Sequence, residues 1–178
     1  VGSVTDMGGM FRDTSAFNQD ISDWAVGSVI RMWHVFADAS AFNQDIGDWE
    51  LDSVSTMNEM FEGASAFNQD LGWCVDGGVD QNDAFYGTLC SWMSCGVVQK
   101  DANGVCPSPS PTATPAPTVS GDVMIDSTIR TAVAAWLADA TAAVSTYGHI
   151  STWKTWGVTD MQELFADASS FNEDISAW

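Results

Sequence analysis

The cysteines are the residues whose type and spacing could most directly do chemistry. The chain has four, within one stretch: Cys74, Cys90, Cys95 and Cys106. Their separations, with 15, 4 and 10 residues between them, contain no Cys-x-x-Cys pair of the kind that zinc sites favour. An even number of clustered cysteines predicts two disulfides in an oxidising compartment. Three pairings are possible, and of these we favour Cys74–Cys90 with Cys95–Cys106.

A second set of polar residues recurs within a repeated phrase. Its asparagines are Asn18, Asn43, Asn68 and Asn172, and its aspartates are Asp20, Asp45, Asp70 and Asp174. We interpret both as structural ladders in which the side chains bind backbone groups at each turn. Stacked carboxylates could instead bind Ca²⁺. Each repeat offers one regular Asp, however, and not the clustered carboxylates of a calcium loop, so we predict no metal and no cofactor.

Other chemistry is not indicated, and we predict that the chain is not an enzyme. It has no Ser/His/Asp set and no glycine loop for phosphate, and the acidic residues follow the repeat. The histidines, His34 and His149, are expected to be packed or surface imidazoles. With 24 acidic and 5 basic residues, a net charge of −19 argues against nucleic acid as a partner. No apolar run reaches the length of about 20 residues that membrane insertion needs.

A repeat of 25 residues positions these side chains. Ala16 to Ile21 returns as Ala41 to Ile46 and again as Ala66 to Leu71. The pattern then fades and resumes near residue 150. Apolar residues keep the same step and are predicted to form the core: Phe17, Phe42, Phe67, Phe171, Met7, Met32, Met57, Met161, Trp24, Trp49, Trp153 and Trp178.

Each repeat has two apolar patterns. Val29, Met32 and Phe36 form part of an i, i+3, i+7 stripe, which is typical of a helix. Around Trp24 the residues alternate, as a short strand does. The sequence therefore predicts an α/β fold, a leucine-rich-repeat-like solenoid of ~25-residue repeats, each a short strand plus a short helix. Two partial arrays would be joined by a proline-rich linker.

The composition divides the chain into five segments. Residues 1–73 form a repeat array and residues 74–106 a Cys-rich cap. A linker rich in Pro, Ser and Thr covers residues 107–120 and is expected to be extended. Residues 121–149 are the helical entry segment of a second array, and residues 150–178 are its first, truncated repeat.

The repeated phrase resembles a known family. The pattern V-x-x-M-x-x-M-F-x-x-x-S-x-F-N-x-D-I-x-x-W over residues 1–73 and 148–178 is similar to the BspA-type surface-protein repeat, a DUF285-like relative of leucine-rich repeats. The resemblance implies an extracellular or cell-surface protein that binds other proteins or surfaces, with no catalytic residues to carry over. We expect a non-catalytic module for binding a protein or a glycan, or for adhesion. The alternative is a structural stalk or matrix component, stabilised by Ca²⁺.

Overall fold

The structure, a computed structural model, describes residues 1–106 and 123–178. Two parallel pairs of short strands form: β1 (Cys74–Val75) with β2 (Val98–Gln99), and β3 (Val123–Ile125) with β4 (Lys154–Gly157). Two α-helices, α1 (Asp126–Ala138) and α2 (Ala140–Tyr147), precede a 3₁₀ turn at Ile150–Thr152. The predicted linker, residues 107–120, lies outside the described residues.

The predicted α/β solenoid, with one strand and one helix in each repeat, is wrong. Residues 1–73, all of which the structure describes, contain no helix and no strand. Successive repeats meet instead at single bridged pairs, such as Asp6 with Arg31 and Arg31 with Thr56. The described helices lie in residues 126–147, and the four strands have two to four residues each.

Hydrogen bonding between repeats explains why the helical stripe does not produce a helix. The alternate amides of Met7, Gly9, Phe11 and Asp13 donate to carbonyls of the next repeat at distances of 2.7–3.0 Å. The amides between them close turns, as Met10 does on the carbonyl of Met7. Half of the N–H groups that a helix would use internally are therefore committed to a neighbouring repeat.

The same turns need left-handed backbone at two places in each repeat. Gly9 and Asp13 have φ of 61° and 60°. The first place is occupied further along by His34, Glu59, Asp83 and Glu163, all with φ between 50° and 54°. L-residues avoid this region, and a helix excludes it. A turn of this kind still brings apolar side chains to one side every three or four residues.

The two predicted arrays form one continuous stack. Phe165 stacks on Phe11 with ring centroids 5.7 Å apart, and Phe171 stacks on Phe17 at 6.0 Å. The amino group of Val1 donates to the carbonyl of Trp178 at 2.9 Å. The spatial order of the segments is thus 150–178, 1–25, 26–50 and 51–73, and the division into two separate arrays is also wrong.

Stacked aromatic rings form the core along this order. Phe17, Phe42 and Phe67 follow one another at centroid distances of 6.0 Å. The tryptophans form an adjoining row in which the indole N–H groups of Trp24, Trp49 and Trp73 donate to carbonyls of the preceding repeat, as Trp49 does to Ile21 at 3.1 Å. All twelve predicted core residues are buried: Phe17, Phe42, Phe67, Phe171, Met7, Met32, Met57, Met161, Trp24, Trp49, Trp153 and Trp178.

Different structures close the two ends of the stack. At one end α1 buries Ile129, Ala132, Val133 and Trp136, an i, i+3, i+4, i+7 stripe that does form a helix. At the other end the stack continues into the Cys-rich segment, where Phe85 lies 5.2 Å from Phe61. No helix in the described residues has the length and apolar character to cross a membrane.

Candidate functional site

The asparagine ladder joins neighbouring repeats. Asn18 Oδ1 accepts from the amide of Asn43, and Asn43 Oδ1 accepts from the amide of Asn68, both at 2.9 Å. Asn172 receives the amide of Asn18 in the same way at 3.1 Å. The side chains of Asn18, Asn43 and Asn172 therefore bind backbone amides with the geometry of a ladder, whereas Asn68 takes part through its own amide.

The aspartates close local turns. Asp20 Oδ1 accepts from the amide and the hydroxyl of Ser22 at 3.0 and 2.7 Å, and Asp174 is bound in the same way by Ser176. These bonds lower the pKa of Asp20 and of Asp174. Asp45 Oδ1 accepts from the amide of Gly47 at 3.0 Å.

The same surface includes Asp70, the last ladder aspartate, and two shallow pockets. Asp70 lies against Gly96, where a Cβ atom would come within 1.8 Å of Asp70 Oδ1. One pocket of about 290 Å³ is lined by Gln19, Asp20, Asp23, Asp174 and Ser176. The next, of about 220 Å³, lies one repeat further along between the Asp20 and Asp45 turns. Both pockets are open and acidic.

All four cysteines form disulfides, but in a different pairing from the one favoured above. The bonds are Cys74–Cys106 and Cys90–Cys95. Cys90 and Cys95 meet because a short turn brings the amide of Cys95 to the carbonyl of Ser91 at 2.8 Å. Cys106 reaches Cys74 because β2 pairs with β1 and returns the chain to the end of the last repeat.

An exposed apolar surface lies on the β3–β4 pair. Thr155 is buried and Met124 packs against the core, whereas large apolar residues next to them on the two strands are exposed. The pairing has a register shift between Val123 and Ile125. Val123, Ile125 and Trp156 are 45, 51 and 60% exposed. Val123 and Ile125 lie over Gly157, where a Cβ atom would be 2.9 and 3.3 Å from their methyl carbons. We call these three side chains the sheet face.

A mixed cluster of titratable residues lies on another side of the stack. His34 Nε2 contacts Glu59 Oε2, and one ligand atom each from His34, Glu59 and Glu62 lie within 4.8 Å of one another. The hydrogen bond from His34 lowers the pKa of Glu59, whereas burial and the charge of Glu59 raise the pKa of Glu62. His34 Nδ1 is buried and has no hydrogen-bond partner among the described residues.

Sequence reasoning missed both of these features. The signal for the cluster is the spacing of His34 and Glu59, which are 25 residues apart and therefore adjacent in the stack. The sheet face has no comparable signal, because the pairing of β3 with β4 depends on contacts between residues about 30 apart. Neither feature includes an asparagine or aspartate of the ladders, nor a cysteine.

Comparison with known proteins identifies a family. No curated protein and no solved structure matches the chain. A family model described as "Mycoplasma protein of unknown function, DUF285" matches residues 1–91 and 137–178, well over half of the chain. The match covers the stacked repeats on both sides of the Val1–Trp178 contact. The chain therefore belongs to the DUF285 family.

Proposed function

We propose that this chain is a non-catalytic, secreted or cell-surface module that binds a protein or a glycan through its sheet face. The observation that carries the proposal is the exposure of Val123, Ile125 and Trp156 on the two strands of one small sheet. Exposed clusters of large apolar side chains are typical of interaction sites. An exposed tryptophan also offers a flat ring on which a sugar or an apolar side chain can stack.

Three further observations support an extracellular binding role. Two disulfides are compatible with an extracellular location. The resemblance to BspA-type repeats, and through them to leucine-rich repeats, favours recognition of proteins or surfaces. The net charge of −19 keeps copies of the chain apart, so the apolar face remains available to another partner.

Arrays of proteins and glycans probed with the labelled, oxidised chain test this proposal. We expect Trp156→Ala to lose most of the binding of any positive ligand. Tyr86→Ala is the matched control, because Tyr86 is a 68% exposed aromatic residue outside the sheet face. Binding that is unchanged in Trp156→Ala, or equally lost in Tyr86→Ala, would show that the sheet face is not the site.

A structural stalk or matrix component stabilised by Ca²⁺ is the second candidate. The two acidic pockets favour it, because Asp20 borders both and Asp174 and Asp45 lie on either side. Ca²⁺ should then raise the melting temperature more than Na⁺ at equal ionic strength, and Asp45→Asn should remove the difference. Equal effects of the two ions would exclude this role.

A further inference from the structure

We propose that His34, Glu59 and Glu62 bind a divalent transition-metal ion of the zinc class. This site is separate from the sheet face, and it involves neither the aspartate ladder nor the cysteines. Its ligands come from two neighbouring repeats, since His34 belongs to residues 26–50 and both glutamates to residues 51–73.

The three ligand atoms are already close to the separations that coordination needs. Nitrogen and oxygen ligands at 2.0–2.2 Å from an ion are at most about 4.4 Å apart. The three atoms lie within 4.8 Å of one another, so small side-chain rotations gather them. The side chains of His34 and Glu59 are 27 and 35% exposed, which leaves a path for the ion and a position for water.

The donor set selects the class of ion. One imidazole nitrogen and two carboxylate oxygens suit Zn²⁺ and its neighbours in the first transition row. Ca²⁺ and Mg²⁺ prefer oxygen ligands alone and more of them. The imidazole is therefore the feature that separates this site from the acidic pockets, where every side-chain ligand is an oxygen.

The balance of charge is an independent reason to expect a cation. The equivalent surface, where residues 1–25 meet residues 150–178, contains an arginine among its carboxylates. Arg12 lies 3.4 Å from Glu163, 3.4 Å from Asp13 and 3.8 Å from Asp167. Two repeats after Arg12 the same position is Glu62. Here Glu59 and Asp38 add negative charge, and His34 is the sole basic side chain in contact within the described residues.

In the part of the chain that the structure describes, other basic side chains pair with carboxylates elsewhere. Arg31 pairs with Asp6, Lys100 with Asp52 and Asp76, and Arg130 with Asp160. Arg12 and Lys154 complete the five basic residues, and Arg12 is engaged with its own three carboxylates. A divalent ion would relieve the repulsion between Glu59 and Glu62 and join the two repeats.

Titration of the oxidised chain of 178 residues with ZnCl₂ at constant ionic strength tests the site. Calorimetry should show one saturable high-affinity Zn²⁺ per chain, and the melting temperature should rise because the folded state alone holds the three ligands together. Co²⁺ should give the absorption bands of a mixed nitrogen and oxygen site. Ca²⁺ at the same concentration should produce neither the bands nor a comparable rise.

Variants assign the ligands. His34→Gln and Glu62→Gln should each weaken Zn²⁺ affinity by more than about tenfold and remove the Co²⁺ bands. Glu163→Gln is the matched control, since Glu163 has the same repeat position and the same left-handed backbone as His34, with φ of 52° against 51°, but is paired with Arg12. It should bind Zn²⁺ as the parent does.

Three results would overturn the proposal. The first is the absence of saturable Zn²⁺ binding in the parent chain. The second is Zn²⁺ binding that persists in both His34→Gln and Glu62→Gln, which would place the ion elsewhere among the 24 acidic residues. The third is an equal response to Ca²⁺, which would indicate general attraction to the acidic surface.

Discussion

At the scale of single residues, polar side chains help to hold neighbouring repeats together. Their oxygens accept hydrogen bonds from backbone amides, as backbone carbonyls do in a regular sheet. Asn43 is typical, since its Oδ1 accepts from the amide of Asn68 at 2.9 Å and from the side-chain amide of Gln69 at 3.0 Å. Neighbouring repeats are thus held by side chains at the points where regular strand pairing is absent. Asn18 and Asn172 accept from backbone amides in the same way, although both side chains are exposed.

Asn43→Ala should therefore destabilise the chain by about 1 kcal/mol, because one inter-repeat acceptor is lost. Asn68→Ala is the control, since the Asn68 side chain accepts no hydrogen bond in the described part of the chain. Urea unfolding of both variants measures the difference. Equal destabilisation would mean that the Asn43 acceptor contributes nothing specific.

A second prediction concerns Asp126, whose carboxylate accepts hydrogen bonds from the backbone amides of Thr159 and Asp160. Burial raises the pKa of Asp126, but the hydrogen bonds from Thr159 and Asp160 outweigh it, so that its pKa is lowered in the folded state. A lowered pKa means that the ionised carboxylate stabilises the fold above the ordinary Asp value of about 4 and that this contribution is lost as pH falls through the folded value.

Asp126→Asn should therefore lower the melting temperature at pH 7, and the difference from the parent should shrink below about pH 4. Thermal unfolding between pH 3 and pH 7 provides the measurement. Asp48→Asn is the reference, because Asp48 forms no hydrogen bond or ion pair in the described residues. A difference for Asp126→Asn that does not change with pH would contradict this role of the charge.

At the scale of elements, the sequence predicts which residues are buried better than which backbone they adopt. A stripe such as Val29, Met32 and Phe36 is common to a helix and to a chain of tight turns, because both bring side chains to one side every three or four residues. The hydrogen-bond partners of the backbone amides decide between the two conformations. Those partners lie in the next repeat, so the pattern within one repeat does not reveal them.

Gly9→Ala distinguishes a helix from the observed turn, because its effect on the free energy of unfolding has opposite signs in the two conformations. In a helix, Ala in place of Gly would stabilise the chain by about 1 kcal/mol. In the observed turn, with φ of 61°, Ala should destabilise it by about 1–2 kcal/mol. Gly77→Ala is the control, because a Cβ atom there meets nothing within 4 Å. Chemical denaturation gives both values, and stabilisation by Gly9→Ala would contradict the turn.

The cysteine pairing and the cluster of His34, Glu59 and Glu62 show that sequence patterns predict site residues better than they predict which residues meet. Clustering and an even number of cysteines predict disulfides, but the choice of partners depends on β2 returning to β1. The repeat period places His34 beside Glu59, yet Glu62 joins them only because the intervening turn folds back. Candidate residues can therefore be proposed from spacing, whereas their grouping requires the backbone path.

At the scale of the whole molecule, the contact between the first and last described segments completes the core. Phe171 is buried between Phe165, at 4.1 Å, and Phe17, at 6.0 Å. Phe17 and Phe171 both belong to the repeated sequence pattern. It does not indicate that the repeat of residues 150–178 precedes residues 1–25 in space, because the pattern is the same at every interface between repeats.

Phe171→Ala should lower the free energy of unfolding by about 3–5 kcal/mol. It should also speed hydrogen exchange at the amides of Thr5 and Ala16, which donate to Thr159 and Ser169. Ser170→Ala, an exposed neighbour, is the control. Unchanged exchange at Thr5 and Ala16 would indicate that the two parts fold independently.

The Val1–Trp178 contact has a mechanical consequence. The hydrogen bonds between repeats run along the stack, so tension applied to the first and last residues pulls directly on the interface where these two residues meet. Rupture would begin inside the stack and peel repeats away in both directions, toward the helices and toward the Cys-rich end. The Cys74–Cys106 bond, which spans 32 residues, would shield the segment that it encloses from the load and so shorten the extension at which the chain becomes taut.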